Sequence, residues 1–375
     1  MENINTNTDA SLVNTNYNPR QKFRVTRSKC KRLILWACLA ILLQLVIGAL
    51  IASVGSYVFL APKVIDIMSN GGSMEEMIQL VLSGSNLTTM TPDQTMLINA
   101  VSYLVANPLA ALICLKASKI GKIRPMFKNN KFNALDAAAA CIGTLGLTIF
   151  ISLLSNLFQS FFANSDQFVG NMISDSIGGS VWGTIVTVLY VCILGPITEE
   201  ILCRGAILRI SSPVGRVCAI VLSSVLFGFM HGNYTQMINA TILGLLLAYV
   251  AIKSESIVVP CIMHIVNNSI SVIFSTIYKV LNLTDAQIQR VDLISNVVFA
   301  VFGFVAIIYL IKKYGKVTKN DKVEVNEVVS EADVEEAKSM QKGFALKVVF
   351  SCPLFWVATA ICNLMAIGIA TGVLG

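Results

Sequence analysis

The stretch that decides the fold of this chain runs from Pro196 to Gly205 and reads PITEEILCRG. It lies near the end of a long apolar run, so Glu199, Glu200 and Arg204 are predicted to lie at membrane depth. Ionisable side chains at that depth are costly to bury, and they usually face a protein interior or a water-filled cavity. The stretch therefore predicts a functional site inside a bundle of membrane helices.

The composition supports this prediction. The chain has 375 residues, of which 55% are hydrophobic and 13% are charged, and its mean hydropathy is +0.72. Soluble domains carry about 25% charged residues, so the sequence indicates an all-α, polytopic integral membrane protein of about eight or nine transmembrane helices. The net charge of +7 comes largely from loops, and we interpret it as a topology signal that predicts no nucleic-acid partner.

Nine apolar segments are counted as spans, because one crossing takes about 20 residues. They are 33–60, 95–117, 134–161, 179–209, 214–231, 236–252, 256–281, 291–313 and 346–373. We expect four parts: a disordered and basic N-terminal tail (1–32), N-terminal transmembrane helices (33–178), a core that carries the candidate site (179–281), and C-terminal transmembrane helices (282–375) with an acidic cytoplasmic loop (317–343).

The loop charges alternate along the chain. The basic segments 20–32 and 117–133 are predicted to be cytoplasmic, and the acidic loops 61–94 and 162–178 external. This predicts a multi-pass protein of the cell membrane whose N-terminus is cytoplasmic and, with nine spans, whose C-terminus is external. A solvated helix or linker is predicted where acidic residues recur at helical spacing, at Glu324, Glu327, Glu331 and Glu335.

The fifth apolar segment is short. From Val217 to Met230 it has 14 residues, which form about 21 Å of helix against a hydrocarbon core of about 30 Å. We therefore expect the turn that begins at His231 to lie below the outer surface. Non-helical backbone at that depth is tolerated where it is buried or lines water, so the turn predicts a hydrated cavity.

Helical spacing relates the polar residues of these segments. Glu200 and Arg204 are four residues apart and are predicted to form an ion pair. Glu199 lies about 100° away around the same helix and remains free to act. Asn268 follows His264 by four residues, so the two share one helix face.

Two chemistries fit this set. Glu199 is a candidate general base on a water molecule, with His231, His264 and Asn268 donating to an oxyanion. Alternatively, His231, His264 and Glu199 bind zinc, which activates the water, although the compact HExxH spacing is absent. The structural alternative is that the histidines are packed side chains, that Phe227 only packs, and that Asn267 and Asn268 are interhelical hydrogen-bond partners.

Three motifs in this order resemble those of the CPBP family, which comprises intramembrane CAAX proteases and bacteriocin-processing or self-immunity (Abi) proteins. The motifs are Glu199-Glu200-x-x-x-Arg204, Phe227-x-x-x-His231 and His264-x-x-x-Asn268. The resemblance covers about 179–275. It implies that Glu199 is the catalytic base, that Glu200 and Arg204 support it, and that His231, His264 and Asn268 orient water or stabilise the oxyanion.

The resemblance implies an intramembrane endopeptidase that acts on a membrane-associated peptide or protein, prenylated or bacteriocin-like, within the lipid bilayer. The family is often labelled metalloprotease, so zinc remains a possible cofactor at this stage. Two other functions stay open: a non-catalytic self-immunity or scaffold protein, and a proton-coupled transporter that uses Glu199 and the histidines as a relay.

Overall fold

The computed structural model describes residues 18–84, 90–121, 127, 131–158, 180–323, 326 and 328–370. These residues form an all-α fold. Its helices are α1 (Pro19–Ser69), α2 (Met74–Gly84), α3 (Pro92–Ser118), α4 (Ala134–Phe158), α5 (Val181–Val214), α6 (Arg216–Phe229), α7 (Tyr234–Ser254), α8 (Val258–Val280), α9 (Asp285–Tyr314), α10 (Glu331–Met340), α11 (Phe344–Phe350) and α12 (Pro353–Ala370).

Seven of these helices are long and apolar enough to cross a membrane, and an eighth span is counted if α11 and α12, which are bent by 60°, form one crossing. The prediction of an all-α, polytopic membrane protein is thereby confirmed. The count of nine spans is not reached, because the fifth predicted span is the 14-residue helix α6. At about 1.5 Å per residue, α6 is shorter than the hydrocarbon core.

Helix α1 begins earlier than the predicted first span. The Asn18 side chain accepts hydrogen bonds from the backbone N–H groups of Arg20 and Gln21, and Pro19 occupies the first helical position. These are strong start signals, so the basic segment 20–32 continues into the span as one helix of 51 residues. Residues 1–17 of the predicted tail lie outside the described residues, as does the predicted external loop 162–178.

The predicted acidic stretch is only partly a solvated helix. Its helical part is α10, which buries Val334 and Ala337 and faces the start of α1. Lys22 of α1 forms ion pairs with Asp333 at 2.8 Å and with Glu336 at 2.9 Å. The stretch is therefore docked on the bundle at α10, while Glu324 and Glu327 lie outside the described residues.

Helix α5 carries the PITEEILCRG stretch and contains two π-helical segments. Its turns Val188–Leu194 and Ile201–Ile207 are π-helical, and Gly195–Glu200 between them is α-helical. Pro196 cannot donate a backbone hydrogen bond, so an ordinary α-helical ladder is interrupted here. The Gly195 N–H instead reaches the Tyr190 carbonyl, five residues back. Wider π turns commonly occur at functional sites, because they redirect the side chains around them.

The helices around α5 pack closely. It contacts α3, α6 and α8, and α6 in turn packs along α7. Gly228 allows α6 to pack this closely against α7, because a Cβ atom at this position would lie 2.5 Å from the carbonyl oxygen of Met237 on α7. This packing brings the C-terminal end of α6, and therefore His231, beside α5 and α8.

Candidate active site

Glu200 and Arg204 form the buried centre of the site. Arg204 Nη1 donates to Glu200 Oε1 over 2.8 Å, and both side chains have 0% exposure. The predicted i,i+4 ion pair is thereby confirmed. Arg204 Nη2 also donates to the Gly244 carbonyl over 3.1 Å, and its guanidinium carbon lies 4.5 Å from the centre of the Phe227 ring. Three helices therefore hold the arginine in place.

His264 lies between the two glutamates. Its Nδ1 is 3.1 Å from Glu200 Oε1, and its Nε2 is 3.7 Å from Glu199 Oε2. The first distance is a hydrogen bond, and the second exceeds the usual limit for one. Glu199 keeps 14% of its side chain exposed, whereas Glu200 keeps none. The two neighbouring carboxylates therefore have different environments: Glu200 is held by two partners, and Glu199 faces the site.

His231 joins this cluster through Phe227. Its Nδ1 lies 2.9 Å from the Phe227 carbonyl oxygen. The centres of the His231 and Phe227 rings are 5.1 Å apart and those of the His264 and Phe227 rings are 5.5 Å apart, and both pairs are nearly perpendicular. Phe227 is thus a packing residue that spaces both imidazoles, and His231 is half-buried at the end of α6.

Asn268 lies one turn beyond His264 and connects α8 to α5. Its Nδ2 donates to the Val191 carbonyl over 3.0 Å, within the first π turn, and its Oδ1 accepts from Asn267 over 3.3 Å. Thr148 of α4 donates to Asn267 over 2.7 Å. Both asparagines therefore make the interhelical hydrogen bonds that the sequence suggested. Asn268 Nδ2 carries a second hydrogen, which has no acceptor among the described residues.

The hydrogen bonds indicate which ring nitrogen carries the proton in each neutral histidine. In both rings Nδ1 faces an acceptor, the Glu200 carboxylate or the Phe227 carbonyl, so Nδ1 is the donor. Each Nε2 then offers a lone pair, which a metal ligand also requires. Among the described residues, however, no group of three or more His, Cys, Asp and Glu side chains comes together as a metal site. The predicted zinc set of His231, His264 and Glu199 is not among such groups in this part of the chain, and the assignment of these residues as zinc ligands stays a prediction.

Helix α3 contributes residues that the sequence motifs did not reveal. Asn107 is fully buried, and its Nδ2 donates to Thr198 Oγ1 over 3.2 Å. Thr198 in turn donates to the Gly195 carbonyl over 2.9 Å, which fixes the turn immediately before Glu199. One helical turn earlier, the Tyr103 ring packs 6.3 Å from the Tyr190 ring. A polar residue followed by Pro108 within an apolar span was the available signal for Asn107.

The fold and these contacts define a membrane-embedded site built from a helical bundle. Residues 181–270 match the family described as Rce1-like, type II CAAX prenyl endopeptidase Rce1-like. The match includes all three motifs and spans about a quarter of the chain. It confirms that this segment is similar to the CPBP family, which includes intramembrane CAAX proteases. No curated protein and no solved structure matches the chain.

Proposed function

We propose that this protein is an intramembrane endopeptidase that hydrolyses a peptide bond of a membrane-associated substrate, with Glu199 as the general base. One observation carries the proposal: Glu200 is bound by Arg204 and His264, while the side chain of the adjacent Glu199 has no hydrogen bond within the described residues and faces the second nitrogen of the same histidine. A peptidase needs one carboxylate that takes a proton and surroundings that stay fixed while it does so.

The spacing of Glu199 and His264 suits a water molecule. Both Glu199 Oε2 and His264 Nε2 are acceptors, so a water beside them donates one hydrogen to each. Its oxygen lone pair then points away from both groups, towards a scissile carbonyl carbon. Glu200 serves as a positioning residue, because its hydrogen bond with Nδ1 keeps the Nε2 lone pair facing Glu199.

The proposed reaction proceeds by general base catalysis. Glu199 takes a proton from the water as its oxygen bonds to the carbonyl carbon, which gives a tetrahedral oxyanion. Asn268 offers its second Nδ2 hydrogen to that oxyanion, and His231 and His264 do so only in their protonated forms. The carbon–nitrogen bond then breaks, and Glu199 returns the proton to the leaving amine.

The family match and the apolar surroundings support a membrane-associated substrate. The matched description names a CAAX prenyl endopeptidase, so the first substrates to test are peptides with a prenylated cysteine near the C-terminus. Bacteriocin-like peptides form the second set.

The test compares the purified wild-type protein with Glu199→Gln on a library of prenylated peptides, together with metal analysis. Glu75→Gln on α2 is the matched control, because it makes the same chemical change at an exposed position outside the matched family segment. We expect cleavage by the wild type and by Glu75→Gln, loss of cleavage in Glu199→Gln, and no dependence on added metal or on chelator. Undiminished cleavage by Glu199→Gln would refute the proposed base, and activity that zinc alone restores would refute the metal-independent mechanism.

A further inference from the structure

Arg204 also lines a cavity that does not include Glu199. The cavity has a volume of ≈ 820 Å³ and is bounded by the C-terminal ends of α5 and α7, the starts of α6 and α8, and residues 319–323, 326 and 329–332. Glu199 and the two histidines are not among its lining residues. Arg209 lies near the C-terminal end of α5 and Arg216 begins α6, at the side that the charge pattern predicts to be cytoplasmic. The cavity therefore shares Arg204 with the proposed catalytic centre and lies towards that interface.

The described lining of the cavity has an excess of positive charge. Its bases are Arg204, Arg209, Arg216, Lys319 and Lys322, and its acids are Glu255, Asp321 and Glu331. Each acid already has a basic partner: Lys131 lies 2.8 Å from Glu255, Lys253 lies 2.8 Å from Asp321, and Arg216 lies 2.9 Å from Glu331. The carboxylates of the described lining are thus neutralised, and Lys319 and Lys322 have exposed side chains.

Two further features of the cavity favour an anion. Arg204 is fully buried, and its Nε has no hydrogen-bond partner among the described residues, although a buried guanidinium N–H is costly to leave unpaired. The cavity is also lined by Ser256 and Ile257 at the start of the 23-residue helix α8, where Ser256 Oγ accepts a hydrogen bond from the Val258 N–H over 3.1 Å. The N-terminal end of a helix carries partial positive charge.

The rest of the lining includes apolar side chains. Leu208, Ala251, Ile252 and Val329 line the same cavity as the bases. A ligand that is only a charge leaves this surface uncovered, whereas a headgroup attached to acyl chains covers both parts. Basic pockets between membrane helices at the cytoplasmic side suit anionic lipid headgroups.

We propose that this cavity binds the phosphate group of an anionic phospholipid. This site goes beyond the proposed peptidase function, because it shares only Arg204 with the proposed catalytic residues and needs no turnover. Arg204 takes part in both regions: one side of its guanidinium holds Glu200, and the residue also lines the cavity. The lipid would therefore contact the residue that fixes the buried carboxylate.

The test measures thermal unfolding of the full chain in non-ionic detergent with added short-chain phosphatidylglycerol, short-chain phosphatidylcholine, or inorganic phosphate. The test variant is Lys319→Gln with Lys322→Gln, whose side chains are exposed. The matched control is Lys312→Gln with Lys316→Gln, which removes two exposed charges from a nearby stretch of the chain, because neither lysine lines the cavity.

We expect phosphatidylglycerol to raise the Tm of the wild type by several degrees more than phosphatidylcholine does. The test variant should lose at least half of that difference, and the control variant should keep it. An equal shift with inorganic phosphate alone would identify free phosphate as the ligand of the same site. Equal shifts with both lipids and no shift with phosphate would overturn the proposal, as would equal losses in the two double variants. The readout is independent of peptide cleavage, so it fails or succeeds separately from the proposed function.

Discussion

Arg204 and Gly244 lie on different helices, and the guanidinium of the first donates to the backbone carbonyl of the second over 3.1 Å. The absence of a side chain at residue 244 permits this approach. A Cβ atom there would lie 3.1 Å from Arg204 Nη2 and 3.1 Å from the Cα atom of Ser224. The buried ion pair of α5 therefore depends on a glycine in α7.

Gly244→Ala is expected to destabilise the protein by about 1–3 kcal/mol, because the added methyl group overpacks a site bounded by backbone and by a fixed guanidinium. Thermal unfolding in detergent measures the change. Gly48→Ala is the control, since a Cβ atom there would meet its nearest neighbours at 3.9 Å, an ordinary contact. Equal Tm values for Gly244→Ala and the wild type would contradict the close packing.

Exchanging each glutamate for glutamine should separate stability from activity. Glu200→Gln leaves the buried Arg204 without its counter-charge, and breaking a buried ion pair in this way costs about 3–5 kcal/mol. Glu199→Gln removes no hydrogen-bonded ion pair, so it should keep a Tm close to that of the wild type while turnover falls by about 10²-fold or more. Unfolding and cleavage are measured on the same preparations. If both variants lose stability equally, the two carboxylates do not have the distinct roles assigned to them.

Asn107 and Thr198 should act as one positioning unit for Glu199. We expect Asn107→Ala and Thr198→Val each to lower kcat with little change in KM, because the turn before Glu199 loses its anchor to α3. The double variant should be less impaired than the sum of the two single effects, with a coupling energy of about 0.5–3 kcal/mol.

Thr198→Ser is the matched control for this pair, because it keeps the hydroxyl that bonds both Asn107 and Gly195. It should restore most of the kcat that Thr198→Val loses. Strictly additive effects in the double variant would show that the hydrogen bond between Asn107 and Thr198 has no part in turnover.

The ionised Asp321 side chain is expected to stabilise the folded protein, and this contribution is lost in acid. Burial disfavours its charged form, but hydrogen bonds from Lys253 Nζ and from the Thr318 N–H outweigh this, so the pKa of Asp321 is lowered from its ordinary value. A lowered pKa in the folded state stabilises the fold above the ordinary aspartate pKa of about 3.9, and this stabilisation is lost as the pH falls through the folded value.

The Tm of the wild type should therefore fall more steeply below about pH 4 than that of Asp321→Asn, which lacks this titration. The measurement is Tm against pH in detergent. Glu331→Gln is the control: its partner Arg216 is 2.9 Å away, but 67% of the Glu331 side chain is exposed, and exposed pairs contribute little. Parallel Tm curves for the wild type and Asp321→Asn would rule out this contribution of Asp321.

The sequence alone determined the fold class and which charged residues belong to the candidate site. Long apolar runs leave helices as the natural spanning structure in lipid, because backbone groups must be bonded within each segment. The four-residue spacing of Glu200 and Arg204 predicted their ion pair, since these positions are neighbours on a helix. The three motifs also predicted the family that residues 181–270 match.

Tertiary structure decided which partner each polar group meets. Spacing along the chain cannot show that His264 of α8 binds Glu200, that Gly244 of α7 accepts from Arg204, or that Asn107 of α3 holds Thr198. Spacing also did not predict the two π turns, which change the direction of side chains on α5. Local spacing fixes neighbours within one helix, whereas contacts between helices depend on how closely their surfaces pack, and small residues such as Gly228 and Gly244 set that distance only in the assembled bundle.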